Sequence, residues 1–173
     1  HRNAPINSWG VGTHMVTGGN ESSFTGVYKL AARHDAKSDS MIPAMKFSDN
    51  PAKTTNPGIK NVYRLFDENG MACADILTLE DETIEVGKEN KFYHPMVDYR
   101  QFNFTPAKIE PLLKKRLENG KRLEKRLPDS EQLIISRNTM QAQLETFDES
   151  YKRLLNPHIY KVSITEKLKD LKL

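Results

Sequence analysis

The chain reads as an α/β protein, and three observations predict it. Up to residue 79 the sequence alternates short β-branched and aromatic runs with Gly, Pro and Asn, the pattern of strands divided by turns. From Thr105 onward apolar residues recur at helical spacing. Directly after a strand-like stretch at residues 5–9 stands Gly10-Val11-Gly12-Thr13. Such a loop leaves backbone N–H groups bare at the mouth of a sheet, a place that favours an anion such as phosphate, although glycine pairs after strands also serve as plain turns.

Residues 27–30 and 61–66 carry the β-branched and aromatic residues that suit a pleated, half-buried surface, and both are expected to be strands. Between them, residues 31–40 are charged and small by turns and read as a solvated loop or hairpin tip. Pro57-Gly58 predicts a turn, because Pro presets φ and Gly accepts a positive φ after it. Asn69-Gly70 predicts a hairpin tip leading into a strand over 71–79. Thr105-Pro106 places a capping hydroxyl before a proline suited to a first helical position. Ile109, Leu112, Leu113 and Leu117 follow, so an amphipathic helix is expected there. A second helix is expected from Asp129, with Gln132 completing a capping box and Leu133, Met140, Leu144 and Phe147 along one side. Asn156-Pro157 ends a turn over 151–155, residues 160–164 read as a short strand, and Ser163 with Glu166 is expected to cap a last helix. These shifts divide the chain into residues 1–30, a β-rich 31–79 and a largely helical 80–173.

Hydrophobic residues at 37% and charged residues at 28% suit a globular protein, and no apolar run approaches the roughly 20 residues that a membrane helix needs. The single cysteine, Cys73, has no partner for a disulfide within the chain and suits a reducing compartment, so a cytoplasmic location is expected. That expectation also weighs against glycosylation at the triplets Asn20-Glu21-Ser22 and Asn103-Phe104-Thr105. A net charge of +3 fits the handling of anionic substrates without demanding nucleic acid. The basic residues Lys114, Lys115, Arg116, Lys121, Arg122, Lys125 and Arg126 have no aromatics among them and are interrupted by Glu110, Glu118 and Glu124. They read as a solvated, salt-bridged face.

Four blocks follow one another in a specific order: Trp9-Gly-Val-Gly-Thr-His-Met-Val-Thr17, Gly26-Val-Tyr-Lys-Leu30, Lys46-Phe-Ser48, and Lys53-Thr-Thr-Asn-Pro-Gly-Ile-Lys-Asn-Val-Tyr-Arg64. With the later Thr105-Pro-Ala-Lys-Ile-Glu-Pro-Leu-Leu113 and Asn156-Pro-His-Ile-Tyr-Lys-Val-Ser163, they resemble the C-terminal third of the nicotinate phosphoribosyltransferases across nearly the whole chain. The resemblance implies a type II phosphoribosyltransferase: the last strands of a β/α barrel with a phosphate-binding loop in 1–30, strands returning to an α/β sandwich in 31–79, and a mostly helical C-terminal region. It implies that the N–H groups of Gly12 and Thr13, with the Thr13 hydroxyl, hold the 5-phosphate of phosphoribosyl pyrophosphate or of the mononucleotide product. Gly10 would let the chain turn and the ligand approach.

Lys53, Lys60 and Arg64, with Lys46, form a loose basic set around the Pro57-Gly58 turn. They are candidate phosphate contacts and equally candidates for solvated strand positions or subunit contacts. The implied reaction, a step of NAD biosynthesis, joins nicotinate to phosphoribosyl pyrophosphate, giving nicotinate mononucleotide and pyrophosphate with ATP hydrolysis. ATP is the implied cofactor, Mg2+ accompanies phosphoribosyl pyrophosphate without ligands assigned in this stretch, and a homodimer is implied. No nucleic-acid or membrane partner is expected. The catalytic groups and the phosphorylated histidine are expected upstream in the same polypeptide, so no catalytic residue is assigned here. His14, beside the loop, has no partner legible in the sequence, and the 173 residues alone are expected to be inactive. The alternative is a non-catalytic interaction module built from a small sheet and amphipathic helices. A basic RNA-binding module is a further rival, and it predicts steep salt dependence of binding.

Overall fold

A six-stranded sheet organises the protein in the computed structural model, which describes residues 5–19, 26–50 and 53–172. Its nucleus is the hairpin of β3 (Lys60–Phe66) and β4 (Ala72–Leu79). At the tip the Asp67 carboxylate accepts the N–H groups of Asn69 and Met71 at 2.9 and 2.8 Å, and Gly70 takes φ +75°, so the Asn-Gly turn forms as expected. The edge strand β7 (Lys108–Pro111) pairs with β3. On the other side, β10 (Lys161–Ile164) runs parallel to β4, and β5 (Asn90–Tyr93) with β6 (Gln101–Phe104) completes the order β6-β5-β10-β4-β3-β7. Two small hairpins stand apart from this sheet, β1 (Ala32–Asp35) with β2 (Ser40–Pro43), and β8 (Leu117–Glu118) with β9 (Lys121–Arg122). The tip of the first, residues 36–39, falls within the stretch 31–40 expected to be a solvated loop or hairpin tip, but strand β1 also occupies most of that stretch's first half.

β4 alternates buried and half-buried residues, as period-2 side chains of a covered strand do. One face gathers Leu65, Ala74, Ile76 and Phe92, with Ile84, Phe102, Phe104 and Ile109 against them. The other gathers Tyr93, Ile164 and Leu168 with Leu77 and Leu79, and is covered by α3 (Glu166–Lys172). Glu82 ties this corner together, its Oε2 accepting both the Leu79 N–H and the Thr165 hydroxyl at 2.7 Å.

Several expectations fail. The helix expected from Thr105 is β7, followed by the β8–β9 hairpin. Pro111 would break a helix interior, and Asn119-Gly120, at φ +48° and +76°, forms a hairpin turn instead. Residues 27–30 and 5–9 are not strands, because no neighbouring strand pairs with them among the described residues. Residues 80–172 hold six strands among the described residues, and the main sheet draws on both sides of residue 80, so that stretch is not largely helical and 79/80 is not a structural boundary. The helix α2 (Asp129–Glu145) exists as expected, but Pro128 occupies its N-cap position and no capping box forms. With Pro128 at the N-cap the N3 position falls on Glu131 rather than Gln132, and Pro128 has no N–H for a side chain there to satisfy. The apolar side of α2, including Leu133, Met140 and Leu144, is exposed. Ser163 lies within β10 opposite Ile76, not at a helix cap. Asn20-Glu21-Ser22 lies outside the described residues.

Candidate functional site

The glycine loop leads into α1 (Thr13–Thr17), a single short helix with Gly12 at its N-cap. The Gly12 carbonyl accepts the N–H groups of Met15 and Val16 at 3.1 and 3.3 Å. No ladder bond consumes the N–H groups of Gly12, Thr13 and His14, which have no partner among the described residues. The Thr13 hydroxyl is likewise uncommitted among them, while its carbonyl accepts the Thr17 hydroxyl at 2.8 Å. Gly10 and Gly12 do not owe their identity to backbone strain: neither takes a positive φ, and a Cβ at either would meet nothing within 4 Å. The positive φ values fall later, at Gly18 and Gly19. His14 has no side-chain hydrogen-bond or ion-pair partner among the described residues, so it lacks the orienting group that a general acid or base requires.

The basic set is dispersed. Lys53 is exposed, and its backbone N–H closes a turn onto the Asn50 carbonyl at 2.9 Å. Lys46 is also exposed, its N–H donating to the Thr55 hydroxyl at 3.0 Å. Lys60 instead folds back onto the Pro57-Gly58 turn, donating to the Pro57 carbonyl at 3.2 Å and to that of Gly58, and burial pushes its amine down from the usual lysine range. Gly58 takes the expected positive φ, +81°, and its N–H reaches the Ala31 carbonyl at 2.7 Å. Arg64 is spent on the sheet. It grips Asp75 at 2.8 and 2.9 Å, lies 4.8 Å from the centre of the Phe147 ring, and is held above the usual arginine range, first by the hydrogen bonds it donates to Asp75. No hydrogen bond or ion pair joins Thr13 to Lys53, Lys60 or Arg64 among the described residues.

Asp75 also accepts the Tyr160 hydroxyl at 3.1 Å, and Phe147, Tyr151 and Tyr160 stack edge to face around the pair. Sequence reasoning missed this cluster. Asp75 and Tyr160 are 85 residues apart, and only the β3–β4 and β4–β10 registers bring their side chains to one place. No three His, Cys, Asp or Glu side chains gather to hold a metal ion among the described residues.

The family model of the nicotinate phosphoribosyltransferase C-terminal domain matches residues 59–172. The chain belongs to the nicotinate phosphoribosyltransferase family. That match covers β3 through α3, so the six-stranded sheet is the sheet of the nicotinate phosphoribosyltransferase C-terminal domain. The chain is 34% identical over 167 residues to the human nicotinate phosphoribosyltransferase, 96% of this chain and 29% of that protein. To the Bacillus subtilis nicotinate phosphoribosyltransferase it is 31% identical over 167 residues, 94% of this chain and 32% of that one. It thus spans about three-tenths of the length of such relatives. The crystal structure of human nicotinic acid phosphoribosyltransferase superimposes with a TM-score of 0.58 and 31% identity, over 68% of this chain and 23% of that one. The α/β class is that of this solved relative.

Proposed function

We propose that these residues form the C-terminal part of a nicotinate phosphoribosyltransferase. In this reading the enzyme joins nicotinate to phosphoribosyl pyrophosphate, yielding nicotinate mononucleotide and pyrophosphate, with ATP hydrolysis displacing the equilibrium. The observation that carries the proposal is the uncommitted set of N–H groups at Gly12 and Thr13, in a chain whose family membership is shown. These amides and the Thr13 hydroxyl hold the substrate's 5-phosphate. Gly10 and Gly12 keep the approach free of side chains, which their open surroundings support. Lys53 has no side-chain partner among the described residues and remains a candidate phosphate contact. Lys60 and Arg64 serve the turn and the sheet.

Phosphoribosyl transfer develops positive charge on the ribose, so holding phosphate, pyrophosphate and base in line is the protein's main task. Of that task this stretch supplies the phosphate anchor. Mg2+ enters with the pyrophosphate, and among the described residues the dispersed carboxylates give it no cage. The groups that bind the base and ATP lie in the remainder of a longer polypeptide, which acts as a homodimer in the cytoplasm.

In the full-length enzyme, Thr13→Ala is expected to raise the KM for phosphoribosyl pyrophosphate about tenfold, with little change for nicotinate. Equal effects on both substrates would make Thr13 structural and remove the anchor.

A further inference from the structure

β10 lies beside β4 along its whole length but meets β5 at a single pair, Ile164 with Tyr93. Continued antiparallel register would set Val162 opposite Pro95, which has no N–H to give, and β5 ends at Tyr93. The chain leaves the sheet there, loops through residues 94–100 and returns as β6, the His94 N–H closing the loop onto the Arg100 carbonyl at 2.8 Å. This departure opens a notch of about 390 Å3 between the loop and β10, a volume within the range of small-molecule sites.

The lining of the notch is specific in character. Met96, Phe102 and Ile159 supply apolar walls, while Arg100 and Lys161 bring positive charge and, among the described residues, no carboxylate lines it. Lys161 Nζ stands 4.8 Å from the centre of the Phe102 ring, at the border between apolar wall and charge. The guanidinium of Arg100 has neither an ion pair nor a hydrogen bond among the described residues. His94 Nδ1 accepts the Met96 N–H at 3.1 Å, which leaves Nε2 as the proton-bearing nitrogen of the neutral ring. The loop is held in place from α3: Lys172 Nζ donates to the Pro95 carbonyl at 2.5 Å and Lys169 Nζ to the Asp98 carbonyl at 3.3 Å. A wall fixed before the ligand arrives loses little freedom on binding.

We propose that this notch binds a small organic anion with a flat apolar body, its charge paired with Arg100 and Lys161 and its ring set against Phe102 and Met96. The site is separate from the glycine loop and does not depend on the enzyme reading.

The test is a titration of phenyl phosphate into the 173-residue chain, followed by amide chemical shifts. Saturable shifts are expected at residues 94–102 and 159–163. Benzyl alcohol, which keeps the ring without the charge, and inorganic phosphate, which keeps the charge without the ring, should each bind about tenfold more weakly. Arg100→Gln and Lys161→Gln should each weaken phenyl phosphate about tenfold at an unchanged thermal midpoint, whereas Lys125→Gln should not. Binding indifferent to both substitutions overturns the proposal. So do shifts centred on residues 12–14, and that outcome would instead favour the phosphate loop.

Discussion

Arg64 on β3 and Asp75 on β4 face each other in register and are joined by two side-by-side hydrogen bonds, Nε to Oδ1 at 2.8 Å and Nη2 to Oδ2 at 2.9 Å. Both side chains are about 15% exposed, so removing one partner strands a largely desolvated charge on the other. Arg64→Ala is expected to lower unfolding free energy by about 3 kcal/mol in urea titrations. Arg64→Lys keeps the charge but not the planar fork, and should lose about half as much. A loss near zero for both would mean that the pair adds nothing net to the fold.

Tyr160 couples the same cluster to pH. Burial, and then the charge of Asp75, push its hydroxyl above the usual tyrosine value of 10.0. A group whose pKa is raised by folding keeps its proton in the native state after the unfolded chain has released it. Its stabilisation is therefore complete below about pH 10 and declines as pH rises through the folded value. Urea midpoints of the wild-type protein should fall between about pH 9 and about pH 11 more steeply than those of Tyr160→Phe. Parallel declines would assign the pH dependence to other tyrosines.

Gly58 and Gly70 both take positive φ, +81° and +75°, but their surroundings differ. A Cβ at Gly58 would stand 2.8 Å from Leu79 Cδ2, whereas one at Gly70 meets nothing within 4 Å. Gly70→Ala should cost about 1 kcal/mol from backbone conformation alone, and Gly58→Ala about twice that, since Leu79 must also shift. Thermal midpoints in the reverse order would show that the Leu79 contact relaxes freely.

Cys73 is half-buried, and its thiol donates weakly to the Met71 carbonyl at 3.4 Å. Burial, and next the charge of Asp67, push the thiol upward, so little thiolate exists at neutral pH. Alkylation by iodoacetamide should be about tenfold slower in the native protein than in urea, as intact mass against time would show. Equal rates would place Cys73 on a segment that opens freely.

Local turn chemistry was the legible part of this fold. Asn69-Gly70 and Pro57-Gly58 fix their own backbones, and both turns form where the residues indicate. The helix expected at Ile109 failed because apolar spacing alone was followed past Pro111 and Asn119-Gly120, two signals whose chemistry excludes a helix. Aromatic and β-branched content at Val27 and Tyr28 was read as a strand, but strand formation needs a neighbour, and Tyr28 is fully exposed. At the glycine loop, the bare amides of Gly12 and Thr13 are a local property of the backbone, and they are uncommitted among the described residues. The role of Arg64 was not legible, since its commitment to Asp75 depends on which strand lies opposite. The salt-bridged reading of the basic run was sound, with Glu124 taking Lys114 at 2.6 Å and also Arg116, though on a hairpin and not on a helix.

The position of β10 has a consequence for how the protein is made. Residues 161–164 form the third of six adjacent strands, wedged between segments synthesised some seventy to ninety residues earlier. A nascent chain halted before Lys161 holds two unconnected ribbons, each with a raw flank open to stray pairing. Closure must therefore wait for the ribosome to release those late residues, and premature termination shortly upstream would leave a product prone to aggregate.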